Sequence, residues 1–434
     1  MSLAQTIVTQ RKIAELLAAG RGAISAISSD LTGKVSGQPG LTDEQMGRLN
    51  EALAELQKGD SNPVLTTPRH QDAALLQSFL AKTATEEQKL APLTVGQEVQ
   101  FSNADWVRWM LSFFTWVEGI KKHDPTPPPA DIGALPDQFR LAILGDWGTG
   151  LYGAPVCARS IEDDPDGFQM ILHLGDVYYS GTHEETEDRL LAFWPKVPGA
   201  INRGLNGNHE MFTGGYSYFD EVLPRFNQAT SYFAYQNSNW FLVFFDTAYQ
   251  DHDLTQEQLI WLNRILPLAG NRKIAFFSHH QPFSLLDQQG PHLLQKLNNL
   301  LEARRIFVWY WGHEHRCILF DQHPRWGLYG RCAGHSGYPY TRDQVPNLPL
   351  AGDSDSWRRQ EGTQMKLPEG TFPDGTSSYL VPGAQILDSP NIYIVGHESQ
   401  YGPNGYFTLE FDGPRLDEQV RSAGGGILYD QILS

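Results

Sequence analysis

A chain of 434 residues with 41% hydrophobic and 19% charged side chains has enough apolar material for a large core, which excludes a mostly disordered polymer, and its length predicts two or three domains. The balance of 33 basic against 50 acidic side chains, net −17, excludes duplex nucleic acid or an anionic membrane as partner of the surface as a whole. It admits a small anion only where something local, such as metal ions, reverses the sign.

The N-terminus, MSLAQTIVTQRK, has no apolar h-region, and three cysteines (Cys157, Cys317, Cys332) are too few, and odd, for a disulfide framework. Both point to a cytoplasmic protein. The longest apolar stretch, Trp106 to Ile120, contains Arg108 and Glu118 and falls short of the ~20 residues of a membrane span. Residues 1–120 read as a helical region. Thr42 and Gln45 form a capping pattern before Met46, Leu49, Leu53 and Leu56, and Ser102 and Asp105 do the same before Trp106, Trp109, Phe113, Val117 and Ile120. The aromatic stripe is expected to cover apolar surface of the rest of the protein. Residues 121–139, KKHDPTPPPADIGALPDQF, are proline-rich and read as a linker.

Residues 140–434 have the texture of one α/β domain. Strand-sized apolar runs appear at Leu141–Leu144, Met170–Leu174, Trp240–Phe245, Ile274–Phe277 and Ile306–Trp311, and a capped helix is predicted from Thr255 to Leu266. Residues 341–390, rich in Pro, Gly, Asp and Ser, read as a long loop excursion. The turn Asp412–Gly413 between Tyr406–Phe411 and Arg415–Val420 predicts a closing hairpin.

Polar, metal-capable side chains stand at the exits of these runs: Asp146 after LAIL, Asp176 after ILHL, then Asn208-His209-Glu210, His279-His280 after IAFFS, and His313-Glu314-His315 after FVWYW. Asp146 to Asp176 is 30 residues, Asp176 to Asn208 is 32 and His279 to His313 is 34. A strand–helix–strand unit is about 30 residues, so these residues should converge at one edge of the sheet. Carboxylate, amide oxygen, phenolate and imidazole together suit first-row divalent or trivalent ions, and a pair of such ions is common machinery for attacking a phosphate ester.

The ordered set resembles the calcineurin-like metallophosphoesterases and is most similar to their purple acid phosphatase branch. The motifs are Asp146-Trp147-Gly148, Gly175 to Tyr179, Gly207 to Glu210, Phe276 to His279 and Gly312 to His315. Gly148 stands where other branches carry a histidine ligand, and Tyr179 supplies the replacement. The resemblance covers roughly 141–337 and implies a four-layered αββα sandwich. It implies a first ion held by Asp146, Asp176, Tyr179 and His315, and a second held by Asp176, Asn208, His279 and His313, with Asp176 bridging. His280 is the alternative to His279. The ions implied are iron in the Tyr179 site with iron, zinc or manganese beside it, or a manganese pair. The implied reaction is attack by metal-bound hydroxide on a small-molecule or phosphoprotein ester, monoesters favoured over diesters, with His209 assisting the leaving group.

Two other readings compete. Gly148 to Gly153 is a formal GxGxxG after a strand, as in dinucleotide-binding enzymes, although Asp146 would meet the pyrophosphate there. A non-catalytic metal-binding protein would keep the same ligands. A serine hydrolase is disfavoured because Gly334-His335-Ser336-Gly337 does not fit G-x-S-x-G. Cys317, two residues after His315, is expected to be a buried, inert thiol.

Overall fold

The computed structural model describes residues 41–58, 69–79 and 111–433, apart from 112, 151–152, 289–290, 346–347, 353, 368–374 and 395. Two sheets lie at its centre. The first has six strands, in the order Ile427–Leu433, Arg415–Ser422, Gly405–Asp412, Gln138–Leu144, Met170–His173 and Ile201–Gly204. Its last three strands are parallel, with Leu144 beside His173 and His173 beside Gly204. The second has nine strands, and its centre is the parallel set Trp240–Phe244, Lys273–Ser278, Ile306–Trp311 and Tyr329–Ala333.

Side-chain alternation along each strand builds the layers. Leu141, Ile143, Leu242, Phe244, Phe277 and Tyr310 interdigitate between the sheets. Ala142, Leu144 and Ile171 face the outer layer that includes the helix Ala154–Glu162. Phe241, Val243, Phe276 and Trp309 face the other, with Leu262 of the helix Gln256–Ile265 and Leu297 of the helix His292–Glu302. The architecture is therefore αββα. The predicted helix starts at its cap, where Thr255 Oγ1 accepts from Gln258 N at 3.2 Å. The Gln258 side chain instead donates to the Asp246 carbonyl at 2.7 Å, which ties the helix to the strand before it.

The region 341–390 is more regular than its composition suggests. Ala384–Leu387 pairs with Cys317–Phe320, and Trp357–Gln360 extends the same sheet. Thr363–Lys366 and Ser378–Val381 form a separate two-stranded ribbon. These strands are four residues long, too short for an alternating pattern to stand out from the surrounding Pro and Gly. The proline-rich segment is strapped to the core: His123 N donates to the Gly214 carbonyl at 2.8 Å, Tyr249 Oη to the His123 carbonyl at 2.8 Å, and Arg264 to the Pro129 carbonyl at 3.2 Å.

At the N-terminal end, the helix Asp43–Lys58 carries the predicted reciprocal cap: Thr42 N donates to Gln45 Oε1 at 3.1 Å and Gln45 N to Thr42 Oγ1 at 3.2 Å. Helical segments also cover 71–79 and 113–119. Leu49, Leu53, Leu76, Phe113 and Val117 share one cluster with Tyr178, Tyr179, Tyr338 and Tyr401 of the sandwich. The predicted cap at Ser102 and Asp105, with Trp106 and Trp109, lies outside the described residues. No described helix is long and apolar enough to cross a membrane.

One buried charge cluster joins the two sheets. Glu418 of the first accepts from Arg331 at 2.7 Å and from the Tyr310 phenol at 2.5 Å, both on the second, and all three are fully buried. Glu418→Leu leaves the Arg331 guanidinium unpaired in the core and should cost about 3–5 kcal/mol. Urea unfolding midpoints check this. The double variant Arg331→Met/Glu418→Leu should lose clearly less.

Candidate metal centre

The parallel strands of each sheet end at one edge, and sharp turns there point polar side chains inward. Asp146, Asp176, His313 and His315 all have left-handed backbone, with φ of 53°, 75°, 68° and 57°. Such conformations are unfavourable for non-glycine residues and persist where the surroundings impose them. Glycine is required at 207 because a Cβ would come within 2.2 Å of Asp176 Oδ1. Glu210 fastens this turn, accepting from Asp176 N and Gly207 N, each at 3.1 Å.

Two ligand groups around Asp176 result, beside a third made by His252, His280 and His313. Asp146, Asp176 and His315 form one, and Asp176, His279 and His313 the other; within each, the ligand atoms lie within 4.8 Å of one another. Asp176 belongs to both. His279 Nδ1 sits 2.8 Å from the Leu174 carbonyl, so Nε2 presents its lone pair inward. That Nε2 lies 3.3 Å from Asp176 Oδ1, 3.0 Å from Asn208 Oδ1 and 3.2 Å from His313 Nδ1, which is itself 2.9 Å from Asn208 Oδ1. Acceptors facing acceptors in a buried site are the arrangement that a cation satisfies.

The electrostatics agree. Burial and the neighbouring Asp176 raise Asp146 and Glu210 well above the usual carboxylate range. Burial also works against the Asp176 carboxylate, but the His279 and His209 imidazoles hold it below that range. Burial, then His279 for one and Arg69 for the other, pushes His313 and His315 well below the ordinary histidine value. His313 and His315, kept neutral by burial beside crowded carboxylates, make a donor set for positive ions.

The structure brings Tyr178, not Tyr179, to this cluster. The Tyr178 phenol lies 3.1 Å from Asp176 Oδ2, 3.4 Å from Asp146 Oδ1 and 2.5 Å from His315 Nε2. The reason is backbone anchoring. Tyr179 N donates to Glu185 at 2.6 Å, Ser180 N to the same carboxylate at 3.0 Å, and Arg189 to the Tyr178 carbonyl at 2.6 Å. The Tyr179 ring lies instead beside the Arg189 guanidinium, 5.5 Å from its centroid. Burial, Asp176 and Asp146 keep the Tyr178 phenol protonated far above its usual range; a bound cation would reverse that balance.

His209 is buried beside the cluster. Its backbone N donates to Asp176 Oδ1 at 3.1 Å, its Nδ1 meets the Tyr179 carbonyl at 2.5 Å, and its ring lies 4.1 Å from that of Tyr178. His280 turns away from Asp176: its Nδ1 contacts Thr247 Oγ1 at 2.9 Å, and it groups with His252 and His313. The GxGxxG glycines serve packing, since a Cβ at Gly150 would meet the Arg189 carbonyl at 2.7 Å and one at Gly153 would meet Asn404 at 2.1 Å. Ser336 Oγ accepts from Gly145 N at 3.1 Å. Cys317 is buried, and burial raises its thiol well above the usual value.

In the sequence, Tyr178 stood inside the Gly175–Tyr179 motif without a role, and Glu185, His252 and Arg69 around the cluster were missed. The last comes from the N-terminal region and pairs with Asp287.

Residues 139–317 match the calcineurin-like phosphoesterase family. Over 278 residues the chain is 25% identical to tartrate-resistant acid phosphatase type 5 of Oryctolagus cuniculus, covering 54% of this chain and 84% of that protein. Similar solved structures include purple acid phosphatase PPD1 from yellow lupin (Lupinus luteus) seeds, at 12% identity and TM-score 0.45, and PhoD, at 9% and 0.40. Each match covers 71% of this chain, with 55% of the lupin chain and 69% of PhoD. The chain thus spans about half the length of the lupin protein.

If Asp176 serves two ions and Asn208 and His313 only one, the variants should differ in stoichiometry. Asn208→Ala and His313→Ala should each lose about one metal ion per chain, and Asp176→Ala about two. Metal analysis after dialysis at limiting metal measures this.

Proposed function

We propose that this chain, whose residues 139–317 belong to the calcineurin-like phosphoesterase family, is a dinuclear metal-dependent hydrolase of phosphate esters with a preference for monoesters. The observation that carries the reading is the place of Asp176 in both ligand groups. The similarity to an acid phosphatase supports the monoester preference. Asp146, Asp176, His315 and the phenol of Tyr178 would hold the first ion, and Asp176, Asn208, His279 and His313 the second. Bound ions supply Lewis acidity toward the phosphoryl group and toward water.

The chain's own residues supply position and a proton. Leu174 O orients His279, Asp146 accepts from His313 N at 2.8 Å, and both ligands are thereby set before substrate arrives. The Tyr179 carbonyl accepts a hydrogen bond from His209 Nδ1–H, so Nε2 is the nitrogen that would gain and give up a proton. It is suited to protonating the leaving oxygen.

The test is hydrolysis of p-nitrophenyl phosphate and bis-p-nitrophenyl phosphate by protein loaded with iron, zinc or manganese. The monoester should be turned over faster, and no hydrolysis with any loading would overturn the reading. His209→Ala should keep its metal and lose about 10²–10⁴-fold in rate, the loss shrinking for acidic leaving groups. A hard phenolate favours trivalent iron. The iron-loaded oxidised protein should therefore absorb in the visible, Tyr178→Phe should bleach it, and Tyr179→Phe should not.

A further inference from the structure

The N-terminal region sits against the rim of the metal centre. Gln71 of the 71–79 helix donates to the Phe212 carbonyl at 3.2 Å, and the Phe212 ring lies 4.8 Å from that of His209. At the other end of the helix, Ser78 Oγ donates to Glu185 at 2.9 Å and contacts Ser180 Oγ at 2.6 Å, on the turn that carries Tyr178. Just ahead of this helix, Arg69 forms an ion pair with Asp287.

Asp287 is itself held in place. Its N donates to Ser284 Oγ at 2.9 Å, its carbonyl accepts from Gln281 at 2.8 Å, and Ser284 in turn donates to Glu314, the residue between His313 and His315. A short relay from the metal-ligand turn therefore fixes where the Arg69 guanidinium stands. More than half of the Arg69 side chain, 53%, remains exposed despite the ion pair.

We propose that Arg69 is a substrate-binding residue of this site: its guanidinium, positioned by Asp287, takes a phosphoryl oxygen of the ester at the mouth of the metal centre. The proposal rests on the phosphoesterase reading above. A guanidinium matches the geometry of a phosphoryl group and cannot be neutralised in the working pH range. On a chain of net charge −17, a cation at the mouth also offsets repulsion of an incoming dianion. Arg69 lies outside the family-matched segment, so the region before it would complete the site and narrow what the core accepts.

The experiment uses the full-length, metal-loaded protein, with inorganic phosphate as the probe and p-nitrophenyl phosphate as substrate. Arg69→Ala should raise the Ki of phosphate and the KM roughly ten- to a hundredfold, the loss of one charge-assisted hydrogen bond. The change in kcat should be smaller, and metal content and melting temperature should stay as in wild type. Arg69→Lys should recover part of the affinity. Asp287→Asn keeps an oxygen that accepts from Arg69 while removing the competing anion, and should leave phosphate binding equal or tighter. Unchanged phosphate affinity in Arg69→Ala, or equal weakening by Arg69→Ala and Asp287→Asn, would overturn the proposal and reduce the pair to a loop clamp. A wild-type protein that hydrolyses no ester overturns the hydrolase reading instead.

Discussion

Three carboxylates, Asp146, Asp176 and Glu210, are buried close together at the edge of the sandwich. Like charges in a low-dielectric interior cannot all ionise unless something positive is supplied. Much of the local architecture meets that constraint. Glu210 is satisfied by two backbone amides, His313 N covers Asp146, and His209 N covers Asp176. What remains is a set of inward-facing oxygen and nitrogen lone pairs, which the proposed pair of cations would satisfy.

That set exists only while the two sheets are packed together. Asp146, Asp176 and Asn208 follow strands of the six-stranded sheet, and His279 and His313 follow strands of the nine-stranded one. The contact between Asn208 Oδ1 and His313 Nδ1 crosses from one to the other. The interleaved Leu141, Ile143, Phe244 and Tyr310 and the Arg331–Glu418 pair therefore belong to the chemistry as much as to stability. A slip between the sheets would separate Asn208 from His279 and His313, the side chains proposed to hold the second ion.

The strand exits and their order were legible in the sequence because parallel strands repeat at a regular spacing and Asp146, Asp176, Asn208 and His313 each follow a glycine. The four layers were implied only by the family resemblance, because parallel strands buried on both faces read as continuous apolar runs with no outward polar face. The choice between two adjacent tyrosines was not legible, because it depends on which backbone amides the Glu185 carboxylate captures, and no pattern in the sequence marks that pairing. Glu185 takes Tyr179 N and Ser180 N, and the ring that then faces Asp176 is that of Tyr178. Four-residue strands within 341–390 were hidden by their length. Arg69 was hidden because nothing local marks a surface arginine whose partner lies more than 200 residues away.

Glu185 links the N-terminal region to the tyrosine turn more directly than apolar packing does. Its buried carboxylate accepts from Tyr179 N, Ser180 N, Thr182 N at 3.1 Å and Ser78 Oγ at 2.9 Å. Three of these donors shape the turn that presents the Tyr178 phenol, and the fourth belongs to the helix over 71–79. A buried carboxylate that loses a donor must recruit water or shift, so undocking that helix would be felt at the phenol as well as at Arg69. The helical region and the candidate metal centre are thus tied together: the same stretch of chain that carries Arg69 also helps hold the turn that presents Tyr178 to Asp146, Asp176 and His315.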